Sequence, residues 1–300
     1  MWTLGADVIA RVRPQPAPPD RPWSLEVPDA RYGSVRLSGR LRRGGSDTLV
    51  VVVHGLGGNH DSPYMQRAAR AIAARGWSCL RLDLRGADGL GEDVYHAGLT
   101  ADLHATIAAC GRFDRIFVLG YSLGGHMALR LGTEAHHPKI RAIAVVCAPL
   151  DLEVSARGID RRRTWIYRHH ILRGLNRMYR EVAGRRAVDT PPEIVARART
   201  IRAWDAAVVV PRHGFASVDD YYAQESVGPL LSGLRVRSAW FGARHDPMVS
   251  ADSVLPSLGE ANGLLDVRWF DRGGHVGFPD DVGGGLALEG EVLRWFEPQG

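Results

Sequence analysis

Lysine is almost missing from this sequence, with Lys139 the only one among 38 lysine and arginine residues. The formal net charge of +5 is therefore carried by arginine. Such one-sided usage reads as a compositional bias, and no basic motif with interleaved aromatics accompanies it, so nucleic acid is not an expected partner. Cysteine is nearly as scarce. Cys79, Cys110 and Cys147 are too few and too scattered for a disulfide framework or a zinc site, and they read as structural thiols. No apolar run approaches the roughly 18 residues that would span a bilayer. Residues 1–13 also lack the apolar stretch of a secretory signal, so a soluble, cytoplasmic protein with at most peripheral membrane contact is expected. Neither G-x-G-x-x-G before a helix nor G-K-[ST] occurs, which excludes the common dinucleotide and phosphate loops. No pair of the 12 histidines has convincing metal-ligand spacing with an acidic partner. Neither a cofactor nor a metal is expected.

What is present suits one sizeable α/β domain with an insertion: 300 residues, 45% of them hydrophobic. Pro14, Pro16, Pro18, Pro19 and Pro22 favour an extended N-terminal arm over residues 1–22. Strands are expected at Trp23 to Val27 and Ser34 to Leu41, near a sheet edge. The β-branched run Thr48 to Val53, then Trp77 to Leu84, Arg115 to Leu119, Ile140 to Cys147, Arg235 to Gly242 and Leu265 to Phe270 read as strands. Helical spacing alternates with them at Ser62 to Arg75, Leu99 to Cys110 and Leu286 to Phe296. This alternation predicts an α/β fold with a mostly parallel central sheet flanked by helices. The pattern breaks over 151–233, where long helical stretches replace it. Ile171, Leu172, Leu175, Met178, Tyr179 and Val182 fall on one helical face there, with arginines mostly off it. Residues 23–150 and 234–300 are accordingly read as the core, and 151–233 as a helical cap over an apolar pocket.

The chemistry centres on Gly120-Tyr121-Ser122-Leu123-Gly124, between an apolar strand and a helix. G-x-S-x-G in this setting is a nucleophile elbow, a turn so tight that the residues flanking the serine must lack bulky side chains. A serine hydroxyl needs a positioned base, and an imidazole base needs a carboxylate to hold its tautomer. The order Ser, Asp, His is met by Ser122, Asp246 and His275, each just after a predicted strand. Asp252 and Asp271 are rivals for the acid, as are Asp83 and Asp151, but each falls in a helix, directly at a strand end or out of order. His54-Gly55-Leu56-Gly57-Gly58 follows the first core strand and suits an oxyanion loop in which a backbone N–H, here that of Leu56, points at the attacked carbonyl. His96, His126, His169, His170, His213 and His245 read as structural.

With His54 to Gly58 and the elbow, the segments Arg85-Gly86, Tyr95-His96-Ala97-Gly98-Leu99-Thr100, Asp219-Asp220-Tyr221-Tyr222, Asp246-Pro247 and Gly273-Gly274-His275-Val276-Gly277-Phe278 carry a resemblance. They resemble the α/β-hydrolase superfamily and, within it, the YheT-like branch that includes the mammalian ABHD lipases and the plant EMB8-like proteins. The resemblance implies Ser122 as nucleophile, Asp246 as acid and His275 as base. It also implies that the N–H groups of Leu56 and Leu123 form the oxyanion hole. Carboxylic esters would be the substrates, either short- to medium-chain acyl esters or acylglycerol-like lipids. His54, Tyr121, Trp165, Met178 and Tyr179 are expected at the substrate pocket, with His54 also supporting the loop it precedes by hydrogen bonding. Two alternatives keep the fold: an acyltransferase, in which an alcohol intercepts the same acyl-enzyme, and a non-catalytic ligand-binding module.

Overall fold

The computed structural model describes residues 16–135, 137–282 and 285–297. Most of the proline-rich arm, residues 1–15, lies outside the described residues. The chain first forms an antiparallel hairpin, β1 (Arg21–Asp29) and β2 (Gly33–Arg42). β1 therefore takes in Arg21 and Pro22, so the arm ends two residues earlier than its prolines suggest. Its two prolines, Pro22 and Pro28, are tolerated because it is an edge strand with a row of N–H groups that need no partner. The core strands follow: β3 (Thr48–Val53), β4 (Ser78–Asp83), β5 (Arg115–Tyr121), β6 (Ile140–Val146), β7 (Ser238–Ala243) and β8 (Leu265–Phe270). They stand in the order β1-β2-β4-β3-β5-β6-β7-β8. β2 joins β4 antiparallel, and every pairing from β4 through β8 is parallel. β7 begins at Ser238 and not at Arg235, because the Arg235 N–H donates to Gly132 O (2.9 Å) outside the sheet.

Strand alternation distributes the core over two faces. Leu49, Val51 and Val53 face α2 (Thr100–Ala109) and α3 (Leu123–Thr133), while Val50 and Val52 face α1 (Pro63–Ala74) and the C-terminal helix Leu288–Phe296. All six residues of β3 are buried, which is why that strand reads as an unbroken apolar run.

Between β6 and β7 the described chain is helical: α4 (Leu152–Asp160), α5 (Trp165–Arg185), α6 (Pro192–Val195), α7 (Ile201–Ala207), α8 (Val209–His213) and α9 (Val218–Glu225). The buried residues of α5 are the six that its spacing predicts. After β7 comes α10 (Ala251–Gly259), and Leu288–Phe296 is α11. No helix of the described residues is long and apolar enough to cross a membrane.

A buried ionic cluster ties the helical segment to the sheet edge. Arg85 grips Asp102 of α2 with two nitrogens (2.7 and 2.9 Å) and donates to Asp29 (2.6 Å) and Asp93 (3.0 Å). Arg212 of α8 reaches the same two carboxylates, Asp93 at 2.6 Å and Asp29 at 3.0 Å. Asp29 also accepts the N–H groups of Arg31 and Tyr32 in the hairpin turn. These hydrogen bonds outweigh burial and hold its carboxyl well below the usual range.

Candidate active site

Ser122 closes β5 with φ 50° and ψ −120°, a conformation that L residues rarely adopt. Its surroundings leave it no alternative. The Ser122 N–H donates to Val146 O of β6 (2.8 Å), and its carbonyl accepts the N–H groups of Gly125 (2.9 Å) and His126 (3.0 Å), which starts α3 at once. A Cβ at Gly120 would come 2.5 Å from Gly125 Cα, and one at Gly124 would come 2.6 Å from Val53 O. At Gly125 it would stand 2.9 Å from the Ala148 Cβ, so this third glycine lets α3 sit close on the sheet.

Asp246 and His275 come to the serine from the ends of β7 and β8. One carboxylate oxygen of Asp246 accepts the N–H groups of Met248 (2.8 Å) and Val249 (3.0 Å), so its own loop orients the side chain. The other lies 2.9 Å from His275 Nδ1, and His275 Nε2 lies 2.9 Å from Ser122 Oγ. An ionised carboxylate can only accept, so Nδ1 carries the ring proton and Nε2 presents a lone pair to the hydroxyl. Both side chains are buried, whereas Ser122 keeps part of its surface open. The turn that aims the imidazole uses Gly273 at φ 146° and Val276 at φ 51°, and is closed by the Gly274 N–H to Gly277 O (2.8 Å).

The rival acids are engaged elsewhere. Asp83 bonds His60 (2.6 Å), Asp151 caps α4 through the Val154 N–H (2.9 Å), Asp252 lies in the first turn of α10, and Asp271 pairs with Arg244 at the surface. Cys147 is a neighbour that the sequence left among the structural thiols. Its Sγ and the ligand-type atoms of Asp246 and His275 lie within 4.8 Å of one another. Burial holds that thiol well above its ordinary pKa, and Asp246 and His275 are bonded to each other, so the trio does not present a set of deprotonated metal ligands.

Across from the elbow, the turn after β3 is fixed by two tyrosines. The Gly55 N–H donates to Tyr64 Oη (3.0 Å), the Gly57 N–H to Tyr95 Oη (2.8 Å), and the Gly58 N–H to Gly55 O (3.0 Å). That leaves the Leu56 N–H with no hydrogen-bond partner among the described residues. Leu123, as the first residue of α3, is in the same condition. Both residues line one cavity with Ser122 and His275. Tyr64 and Tyr95 were not among the expected site residues.

That cavity has a volume of about 190 Å³ and runs from the elbow into the helical segment. Its helical wall includes Ser155, Ile159, Tyr167, His170, Asp205 and Tyr222. The five expected pocket residues lie elsewhere. His54 is buried behind the turn, where Nε2 accepts from the Leu84 N–H (3.1 Å) and Nδ1 therefore donates to Gly55 O (2.8 Å); it supports the loop, and burial depresses its pKa. Tyr121 points to the α1 face and packs on Tyr64 with ring centroids 4.8 Å apart. Trp165 is 58% exposed. Met178 packs toward Gly86, and Tyr179 donates to Thr190 O (2.6 Å) beside Trp204. Conversely His170, read as structural, belongs to the cavity wall.

Comparison with known proteins agrees with this architecture. Residues 48–282 match the profile of the family described as alpha/beta hydrolase fold. A relative from Escherichia coli (strain K12) named "Putative esterase YheT" is 28% identical, over 90% of this chain and 83% of its own length. A monoacylglycerol lipase from Saccharomyces cerevisiae is 24% identical over 82% of this chain, which spans 58% of that longer protein. Among solved structures, the esterase domain of a Rhodothermus marinus protein superposes with a TM-score of 0.56 at 15% identity, covering 92% of this chain and 97% of that one.

Proposed function

The chain belongs to the α/β-hydrolase fold family, and from that premise we propose that it is a serine carboxylic-ester hydrolase acting through an acyl-enzyme on Ser122. The observation that carries the reading is the continuous hydrogen-bond line from Asp246 through His275 to Ser122 Oγ, ending in a cavity beside two N–H groups that have no partner among the described residues. His275 Nε2 takes the Ser122 hydroxyl proton as Oγ attacks the ester carbonyl carbon. The carbonyl oxygen becomes an oxyanion between the N–H groups of Leu56 and Leu123; one such donor contributes on the order of 10²–10³ in rate. As the tetrahedral species collapses, the leaving alkoxide takes the proton from Nε2. Water then gives a proton to Nε2 and attacks the acyl-enzyme, and collapse releases the acid and restores the serine. Asp246 orients the imidazole and stabilises its charge without taking the proton.

Segment 151–233 serves in this reading as a cap that roofs the acyl site. The apolar side chains of Leu152, Ile159, Ile201, Met248 and Val276 around the cavity suit an acyl chain of an ester or acylglycerol-like lipid. The test is mass spectrometry of the protein quenched during turnover of p-nitrophenyl octanoate. An octanoyl adduct on the peptide containing Ser122 is expected, and free octanoic acid as product. Turnover without any adduct in wild type, or an adduct that survives in Ser122→Ala, contradicts the mechanism. If added methanol diverts all product to the methyl ester, the acceptor is an alcohol and the enzyme a transferase.

A further inference from the structure

One acidic side chain on the cavity wall has no part in this mechanism. Asp205 of α7 is 7% exposed and lines the cavity. Tyr222 of α9 donates to its Oδ2 at 2.6 Å, and Tyr222 lines the same cavity. The other oxygen, Oδ1, has no hydrogen-bond partner among the described residues. The basic side chain on the same helix is committed elsewhere, since Arg202 bonds Glu153 and Asp219, each at 2.6 Å. Asp160, the other acid nearby, caps α7 through the Ile201 N–H (2.8 Å). On α4, Ser155 also lines the cavity, and its buried hydroxyl has no partner among the described residues. Buried polar groups are nearly always bonded, so a carboxyl with one oxygen unbonded and an unsatisfied hydroxyl on the helical wall of the cavity call for a polar group of a ligand.

We propose that Asp205 and Tyr222, with Ser155 of the same cavity wall, form a subsite that binds a hydroxyl group of the ester substrate and so selects hydroxyl-bearing esters over plain alkyl esters. The inference rests on the hydrolase reading for the reacting end of the substrate. A hydroxyl is the matching group because it both donates and accepts: it can donate to Oδ1 and accept from Ser155 Oγ–H. Burial pushes the Asp205 carboxyl up to about 7 despite the Tyr222 bond, so the wall favours a neutral partner over a cation that would need a fully ionised acid. A site with buried groups awaiting a hydroxyl discriminates strongly against an analogue without one, because that analogue leaves them unpaired. The hydroxyl can come from the alcohol half of the ester, as in a glycerol ester, or from a hydroxylated acyl chain.

The test compares kcat/KM for ethyl octanoate, 1-octanoylglycerol and ethyl 8-hydroxyoctanoate. One hydroxylated ester should exceed ethyl octanoate by about 10-fold, the scale of one net hydrogen bond, and which one it is tells which half of the substrate reaches the wall. The ratio should fall toward one in the double variant Asp205→Leu/Tyr222→Phe, which removes both partners together, and Asp205→Asn should retain part of it. Ser155→Ala, a milder change to the fold, should lower it less. Binding to Ser122→Ala of 1-O-octylglycerol and of ethyl 8-hydroxyoctyl ether, each against ethyl octyl ether, reads the subsite without turnover. Ester turnover with ratios near one in wild type, or ratios unchanged in the variants, overturns the subsite and leaves the hydrolase reading standing. Preferential ether binding by a protein that turns over no ester supports the subsite and overturns the hydrolase reading.

Discussion

The two walls that face each other across the cavity are held by different means. On the sheet edge, backbone geometry sets the site: Ser122 is pinned at φ 50° between β6 and α3, glycines clear its surroundings, and the turn after β3 hangs from two tyrosine hydroxyls. On the helical side, side-chain packing and a buried ionic cluster do the same job, with Arg212 anchoring α8 to Asp29 and Asp93. Strained backbone tolerates few substitutions and holds atoms to fractions of an ångström, which suits a reacting centre. Packed helices accept many sequences and so suit a wall that decides which substrate fits. The comparison predicts that changes on the sheet edge abolish reaction, whereas changes on the helical side alter stability or preference.

The largest effect is expected at Asp246→Asn, which keeps the shape of the acid but lets its amide donate to His275 and so favours the wrong tautomer. kcat should fall by about 10⁴-fold while the melting temperature stays near that of wild type. A loss under tenfold would place the acid elsewhere. Next comes Arg85→Met, which strips Asp102 of its two-nitrogen partner, leaves Asp29 and Asp93 to Arg212 alone, and should cost about 3–5 kcal/mol in urea unfolding. If stability is unchanged, the ionic cluster is not what holds the helical segment to the sheet. Tyr95→Phe removes the acceptor for the partly buried Gly57 N–H in the turn after β3; the lost hydrogen bond should cost about 1 kcal/mol, in kcat more than in KM. Equal effects on both parameters would mean that Tyr95 shapes the pocket and not the turn.

The smallest effect is one of pH. The rings of His96 and His213 meet at a tilt of 51° with centroids 4.4 Å apart, among Arg85, Arg212 and Asp93. Burial first, then neighbouring positive charge, pushes His213 from 6.5 down to about 4, and His96 to about 2. As pH falls below about 6.5 the unfolded chain takes up these protons before the folded one, so the stability present above that pH drains away, toward about 4 for His213 and about 2 for His96. His213→Gln should therefore lose less stability than wild type between pH 7 and pH 5, as read by thermal melting across that range. Parallel curves would remove the pair from the acid response.

What could be read in the sequence follows the same division. Ser122, Asp246 and His275 sit just after strand ends among glycines, and backbone constraints of that kind leave marks in residue type. The buried face of α5 was readable from spacing alone. What spacing cannot say is which neighbour a face meets, and so Met178 and Tyr179 were expected at the pocket although their face packs on the core, while Tyr167 and His170 of the same helix line the cavity. Tyr64 and Tyr95 act through single hydroxyl contacts to backbone far away in sequence, for which no local pattern exists. Asp205 did leave a sign: it stands four residues after Ile201 and beside Trp204, an acid on the buried side of α7.

The central claim is that Ser122 is the nucleophile, and fluorophosphonate labelling followed by p-nitrophenyl octanoate turnover tests it most directly. Wild type should label stoichiometrically and lose its turnover as it does so. Ser122→Ala should neither label nor turn over the ester above about 10⁻⁴ of the wild-type rate. Labelling or turnover of Ser122→Ala at the wild-type level would contradict the account.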